Sequence, residues 1–145
     1  MINKTAARAQ QAAARIADLV DFTPLRRSDF FSDDLGAEIF FKLENEQTTG
    51  SFKLRGATNR LLTLSEEQRA QGCVAASSGN HGAAVACAMQ KLGVSGIVFV
   101  PEQTSPAKVE KIRSYGGDVR FFGTDGLDTE QHARAQVGAA GAYRN

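Results

Sequence analysis

Lys53 sits in the segment Thr49-Gly50-Ser51-Phe52-Lys53-Leu54-Arg55-Gly56-Ala57, and further along comes the run Ser77-Ser78-Gly79-Asn80-His81-Gly82. The first segment places one lysine at the start of a helix, just after a glycine-bearing loop. Helix N-termini carry partial positive charge, which disfavours an ammonium there. Partial desolvation would add to the effect and leave a neutral amine able to condense with a carbonyl. The second segment is a turn of small residues between a strand and a helix, a position where free N–H groups bind anions. Gly79 and Gly82 allow backbone to come close to a ligand. An amine facing such a turn could hold an aldehyde and the carboxylate of an amino acid side by side. Each residue also has a plainer reading. Lys53 fits an ordinary surface lysine, Phe52 a core side chain, Ser78 a helix N-cap and His81 a structural histidine. Thr49, Gly50 and Ser51 lie in a loop that could touch the substrate.

These segments need elements to position them. The sequence predicts a helix from about Thr5 to Leu19, ending before an extended Thr23-Pro24. A short strand is expected at Leu25–Ser28, a turn at Ser32–Gly36 and a strand at Glu38–Glu44. On that strand Lys42 and Glu44 read as a solvated face. Ser51 is a good N-cap for the Lys53 helix, whose residues Leu54, Ala57, Leu61 and Leu64 share one side. Ser65 to Gln68 forms a capping box, with Gly72 closing its short helix.

From there a strand-then-helix rhythm sets in: strand Cys73–Ala76, helix Asn80–Leu92 closed by Gly93, strand Ile97–Val100, helix Pro106–Tyr115 with Ser105 as N-cap, and strand Val119–Phe122. A last helix runs from Asp128 to about Ala139, with His132 exposed in its middle. Three apolar strands separated by helices imply a parallel sheet. The fold class is therefore α/β: a small three-layer domain with a short parallel sheet at residues 66–145, and residues 1–65 as an incomplete edge of something larger.

Composition narrows the function. The 145 residues carry 17 basic and 16 acidic side chains, a net charge of +1. Neither nucleic acid nor an anionic membrane is expected as a main partner. No apolar run approaches the roughly 18 residues of a membrane helix. The Ala- and Arg-rich stretch up to Ala17 could pass for a transit peptide, but it fits a first helix better. Cys73 and Cys87 lack metal or redox spacing and read as reduced core thiols, which suits a cytoplasmic protein. No His, Cys or carboxylate cluster has metal-ligand spacing, and no Gly-x-Gly-x-x-Gly supports a stand-alone nucleotide-binding domain.

With Thr23-Pro24-Leu25, Phe41-Lys42-Leu43-Glu44-Asn45 and the run Val98 to Val119, these motifs resemble the fold-type II pyridoxal-phosphate enzymes with their tryptophan-synthase-β-like architecture. Within that family they are most similar to the serine/threonine dehydratase and serine racemase branch, because Leu54 follows the lysine where sulfhydrylases and threonine synthases usually carry Asp.

The resemblance implies that Lys53 carries pyridoxal phosphate and later moves the Cα proton. It implies that Phe52 packs beside the cofactor ring and Asn80 bonds its phenolic oxygen. Ser78, Gly79, Asn80 and His81 would hold the substrate carboxylate, and Ser78 is the opposite-face acid/base in racemases. The implied reaction is dehydration and deamination of serine or threonine to a 2-oxo acid and ammonia, in a homodimer. Racemisation, or an inactive remnant, stays open beside it. Family members are about twice this length. The glycine-rich phosphate loop, the group facing the pyridine nitrogen and any divalent-cation ligands would all lie beyond Asn145. Residues 1–65 are accordingly expected to expose apolar faces.

Overall fold

The computed structural model describes residues 2–140 and 143–144. Helix α1 (Ile2–Ile16) leads into strand β1 (Leu25–Arg27), helix α2 (Asp29–Leu35) and strand β2 (Phe40–Lys42). Helices α3 (Lys53–Leu62) and α4 (Glu66–Ala70) follow. Then come β3 (Cys73–Ala76), α5 (Asn80–Leu92), β4 (Gly96–Val100), α6 (Pro106–Arg113), β5 (Asp118–Phe121), α7 (Gly126–Ala140) and β6 (Tyr143–Arg144).

The main sheet is parallel, in the order β5-β4-β3-β6, with Val74 opposite Ile97 and Val98 opposite Val119. Strand alternation sorts its side chains into two layers. Cys73, Ala75, Val98 and Val100 face the buried cluster that holds Leu54, Ala57 and Leu61 of α3, Ala83 to Met89 of α5, and Val109 and Ile112 of α6. Val74, Phe99, Ala76 and Ile97 point the other way, toward Ala133 of α7. A helix–sheet–helix sandwich results, as the strand-then-helix rhythm predicts. Its larger core runs without a break from Leu54 across residue 65 to Ile112.

Several local expectations need correction. The turn expected at Ser32–Gly36 is part of α2, because Ser28 caps that helix by accepting from the Phe31 N–H, and Asp29 complements the helix dipole. Phe31 then packs edge-on between Phe30 and Phe41. Helix α1 stops at Ile16, and β2 covers only Phe40–Lys42 before a 3-10 turn at Glu44–Glu46. The last helix begins at Gly126, with Asp125 rather than Asp128 accepting its first N–H groups. Ser105 precedes Pro106 as expected but makes no side-chain cap. The sheet gains a fourth strand, β6, whose two residues pair with Cys73 and Val74. The capping box at Ser65 is formed on both sides, with Ser65 Oγ accepting from Gln68 N–H and Gln68 Oε1 from Ser65 N–H.

The β1–β2 hairpin and α2 pack differently. Phe22, Leu25, Phe30, Phe31, Leu35, Phe40 and Phe41 are all exposed, Phe22 at 93%. Residues 1–65 do present the apolar faces expected of them.

Candidate active site

Lys53 is the first residue of α3, and Asn80 is the first of α5. The two helices pack along their length through Leu54, Ala57 and Leu61 against the alanine-rich side of α5. Small residues on α5 let the helices approach closely, and the electrostatic effect of Lys53 on His81 puts the two N-termini near one another. The start of α5 lies at the C-terminal edge of β3, where open α/β sheets bind ligands.

The turn itself is fixed by backbone. Ser77 N–H donates to Phe99 O at 3.1 Å, and Ser77 Oγ accepts from Gly79 N–H at 3.2 Å. Gly79 takes the cap position of α5 with no side-chain cap, so the leading N–H groups of a 13-residue helix stay available. Ser78 therefore does not cap α5. Gly82 meets a strict steric demand: a Cβ there would come 2.1 Å from Ser77 O and 3.1 Å from Ile112 Cδ1.

The amine side differs from expectation. Ser51 does not cap α3. Phe52 holds the cap position without a side-chain bond, and the Ser51 hydroxyl is buried with no partner. Phe52 is 59% exposed, which removes the core reading, and Lys53 is exposed with its Nζ 5.0 Å from the Phe52 ring centre. His81 is half-buried. Burial first, and the nearby Lys53 ammonium second, hold its imidazole below the ordinary value of 6.5. That coupling places Lys53 and His81 in one electrostatic neighbourhood. A neutral imidazole can accept or donate a hydrogen bond there, but it is not a cationic clamp.

A supporting network escaped the sequence reading. Glu44 is not part of a solvated face. Arg55 grips it with two hydrogen bonds, Nε to Oε2 at 2.9 Å and Nη2 to Oε1 at 2.8 Å, and Thr23 Oγ1 donates to Oε1 at 2.6 Å. The Arg55 bond is the main reason the Glu44 carboxyl is held below its ordinary value of 4.5. Arg55 also reaches Asp21 O at 3.1 Å. Buried Gln47 spans the same segment, donating to Asp21 O and accepting from Asp21 N–H, both at 2.9 Å. These residues tie the first turn of α3 to the segment before β1 and the turn after β2, and so hold the backbone under Lys53. Their only signal in the sequence was a pair of opposite charges in two of the segments that carried the resemblance.

Other expected residues lie elsewhere. His132 is not exposed: its ring stacks on Phe122 at 3.6 Å and meets Phe99 edge-on at 4.9 Å. Cys73 and Cys87 are free and buried, and burial pushes the Cys73 thiol up to about 11. Among the described residues no group of His, Cys, Asp or Glu is placed to hold a metal ion, and no helix is long and apolar enough to cross a membrane. A cleft of about 610 Å³ lies between α1 and α3, around Ile16, Val20 and Gly56, and touches neither Lys53 nor Ser78.

Comparison with known proteins agrees with this architecture. Residues 16–144 match the family described as pyridoxal-phosphate dependent enzyme. An L-threonine ammonia-lyase of Geobacter sulfurreducens is 45% identical over 79% of this chain and 28% of its own length. Maize serine racemase superposes with a TM-score of 0.86 at 36% identity, over 93% of this chain and 41% of that one. Threonine deaminase isoform 2 of Solanum lycopersicum gives 0.87 at 32% identity, over 96% and 40%. A parallel α/β sandwich with a lysine at one helix start and an uncapped turn beside it belongs to the class of fold-type II enzymes. This chain is a member of the pyridoxal-phosphate dependent enzyme family, and it spans less than half the length of the relatives named here.

Proposed function

We propose that this chain carries the lysine-bearing part of a pyridoxal-phosphate-dependent ammonia-lyase acting on serine or threonine. The observation that supports this most is the convergence of the exposed Lys53 amine and the uncapped Ser77–Asn80 turn at the starts of α3 and α5. The residues fit the cofactor by chemistry: an accessible primary amine for its aldehyde, an aromatic ring in Phe52 beside that amine, and the Asn80 amide for its phenolic oxygen. When bound, pyridoxal phosphate delocalises the electron pair left at Cα.

The chain's own residues supply the rest. The N–H groups of Gly79, Asn80 and His81, with the Ser78 hydroxyl, hold the substrate carboxylate at the positive end of α5. The low proton affinity of His81 keeps it neutral, so it contributes hydrogen bonds without adding charge. Lys53, released by the incoming amino acid, takes the Cα proton through its Nζ. The same Nζ returns that proton to the β-hydroxyl, which leaves as water, and hydrolysis then releases ammonia and the 2-oxo acid. The absence of a Cβ at Gly82 leaves room for Ser77 O against the first turn of α5.

A racemase reading keeps one specific support. Ser78 is not engaged as the α5 cap, so its hydroxyl is free to serve as acid/base on the face opposite Lys53. The reading includes a homodimer. It also includes the cytoplasm as location, since two buried, unpaired thiols suit a reducing compartment.

Borohydride reduction with pyridoxal phosphate, followed by peptide mass spectrometry, should leave a pyridoxyl group on Lys53, and Lys53→Ala should abolish it. Oxo-acid release from serine or threonine then separates the lyase from the racemase. A pyridoxyl group found only on other lysines would overturn the proposal.

A further inference from the structure

Strands β1 and β2 form a two-stranded sheet with no third strand among the described residues. A lone hairpin is marginally stable, and an open strand edge is a template for further pairing. The hydrogen bonds show what each edge offers. Ser28 N–H donates to Ile39 O at 2.9 Å, and Leu43 N–H donates to Pro24 O at 3.0 Å. Arg26 and Phe41, opposite each other midway between those pairs, are therefore also a hydrogen-bonded pair. The N–H and C=O groups of Phe40 and Lys42 turn to the outer edge of β2. Those of Leu25 and Arg27 turn to the outer edge of β1.

Side chains divide by face. Phe41 joins Phe31 and Phe30, with successive ring centres 5.7 and 5.1 Å apart. Phe40 and Lys42 share the opposite face, where Lys42 Nζ lies 4.9 Å from the Phe22 ring centre. Each of these phenylalanines is at least 42% exposed. Together they present roughly 600 Å² of ring surface, of the same order as the ~800 Å² each partner buries in a stable interface.

One two-fold register pairs all three residues of β2 with all three of a second copy. It sets Phe41 opposite Phe41 of that copy, and Phe40 opposite Lys42 in both directions, which is the self-complementarity an isologous contact needs. The outward N–H and C=O groups of Phe40 and Lys42 are then satisfied. Each ammonium meets a ring rather than another ammonium. The same operation on β1 would set Arg26 against Arg26, a like-charge pair directly opposed.

We propose that two copies of this chain join antiparallel along the outer edges of β2, about a two-fold axis at Phe41, into one four-stranded sheet. The inference names the surface of the homodimer proposed above and rests on that reading, but not on the cofactor chemistry at Lys53.

The test combines sedimentation of the whole chain with cysteine cross-linking. The wild type should sediment as a dimer. Phe41→Lys, which opposes two ammonium groups, should be monomeric at the same concentration. Phe40→Pro removes one outward N–H from each copy, leaves the bonds to β1 intact, and should weaken association at least about tenfold. Leu127→Lys, at an exposed apolar site on α7, should change nothing. Opposed Cα atoms at the axis would lie about 4.5 Å apart, within disulfide reach. Phe41→Cys should therefore oxidise to a covalent dimer and Arg26→Cys should not. Native Cys73 and Cys87 are buried and do not compete. The cross-link decides the matter even where Phe41→Lys fails to fold. A wild type that is monomeric at every concentration would sink the homodimer and this surface together. A dimer that survives Phe41→Lys, or that cross-links through Arg26→Cys instead of Phe41→Cys, would overturn the surface alone.

Discussion

Two parts of this chain are held together by different forces. From Leu54 to Ile112, helices α3, α5 and α6 and strands β3 and β4 bury a continuous apolar core. From Asp21 to Gln47, the hairpin and α2 turn their aromatic residues outward; Arg55 of α3 links to them through Glu44, Thr23 and Asp21 O, and the Gln47–Asp21 bonds and Lys42 Nζ donating to Thr23 O brace them internally. The first region is stabilised mainly in proportion to area removed from water. The second depends on a few directional bonds whose members titrate. Lys53 sits at the seam. Its helix is rooted in the core by Leu54 and pinned to the hairpin by Arg55.

Changes in the core should be largest and global. Leu61→Ala, at a fully buried site, is expected to cost about 3 kcal/mol and to lower the unfolding midpoint followed by circular dichroism. A loss below about 1 kcal/mol would show that the α3–α5 contact is not the main source of stability. Arg55→Ala should cost less, about 2 kcal/mol, and act locally. Hydrogen exchange should accelerate in residues 21–47 and leave β3 and β4 protected. Uniform acceleration would erase the distinction between the two regions.

Acid should act on the polar region in the same sense. The Glu44 carboxyl titrates below 4.5 when folded, mainly through Arg55. Its contribution is therefore complete above that value and is lost as pH falls through the lower, folded-state value. The stability gap between wild type and Glu44→Gln should be widest near neutral pH and shrink in acid. A gap independent of pH would remove the ion pair from the account. The smallest effect is at the site. Lys53→Met should raise the His81 titration midpoint, followed by its ring-proton shifts. The midpoint should remain below 6.5, because burial is the larger cause. No movement at all would separate the lysine from the turn.

Much of this was legible in the residues. The strand-then-helix rhythm gave β3, α5, β4 and α6 because alternating apolar strands and glycine-closed helices are local patterns. The Ser65 box and the Gly93 stop were readable for the same reason. The lysine and the small-residue turn stood out by type and spacing. Where a local rule had two outcomes, the reading failed. Ser-Asp-Asp-Leu-Gly looked like a turn, but the Ser28 cap and aromatic packing drew it into α2. Ser51 and Ser78 both looked like helix caps, and neither acts as one. A serine before a helix reads the same whether its hydroxyl meets the helix, the core or a ligand.

The residue order alone determined the α/β class, the sheet's central strands and the pair of motifs on which the proposed chemistry rests, since each depends on neighbours within a few positions. Only the tertiary structure decided that Arg55 would clasp Glu44 and that Lys53 would stand exposed in electrostatic reach of His81. It alone left the Thr49 and Ser51 hydroxyls unpaired. Those outcomes depend on contacts between segments distant in the chain and on which side of a packed core each group falls. No local pattern encodes them.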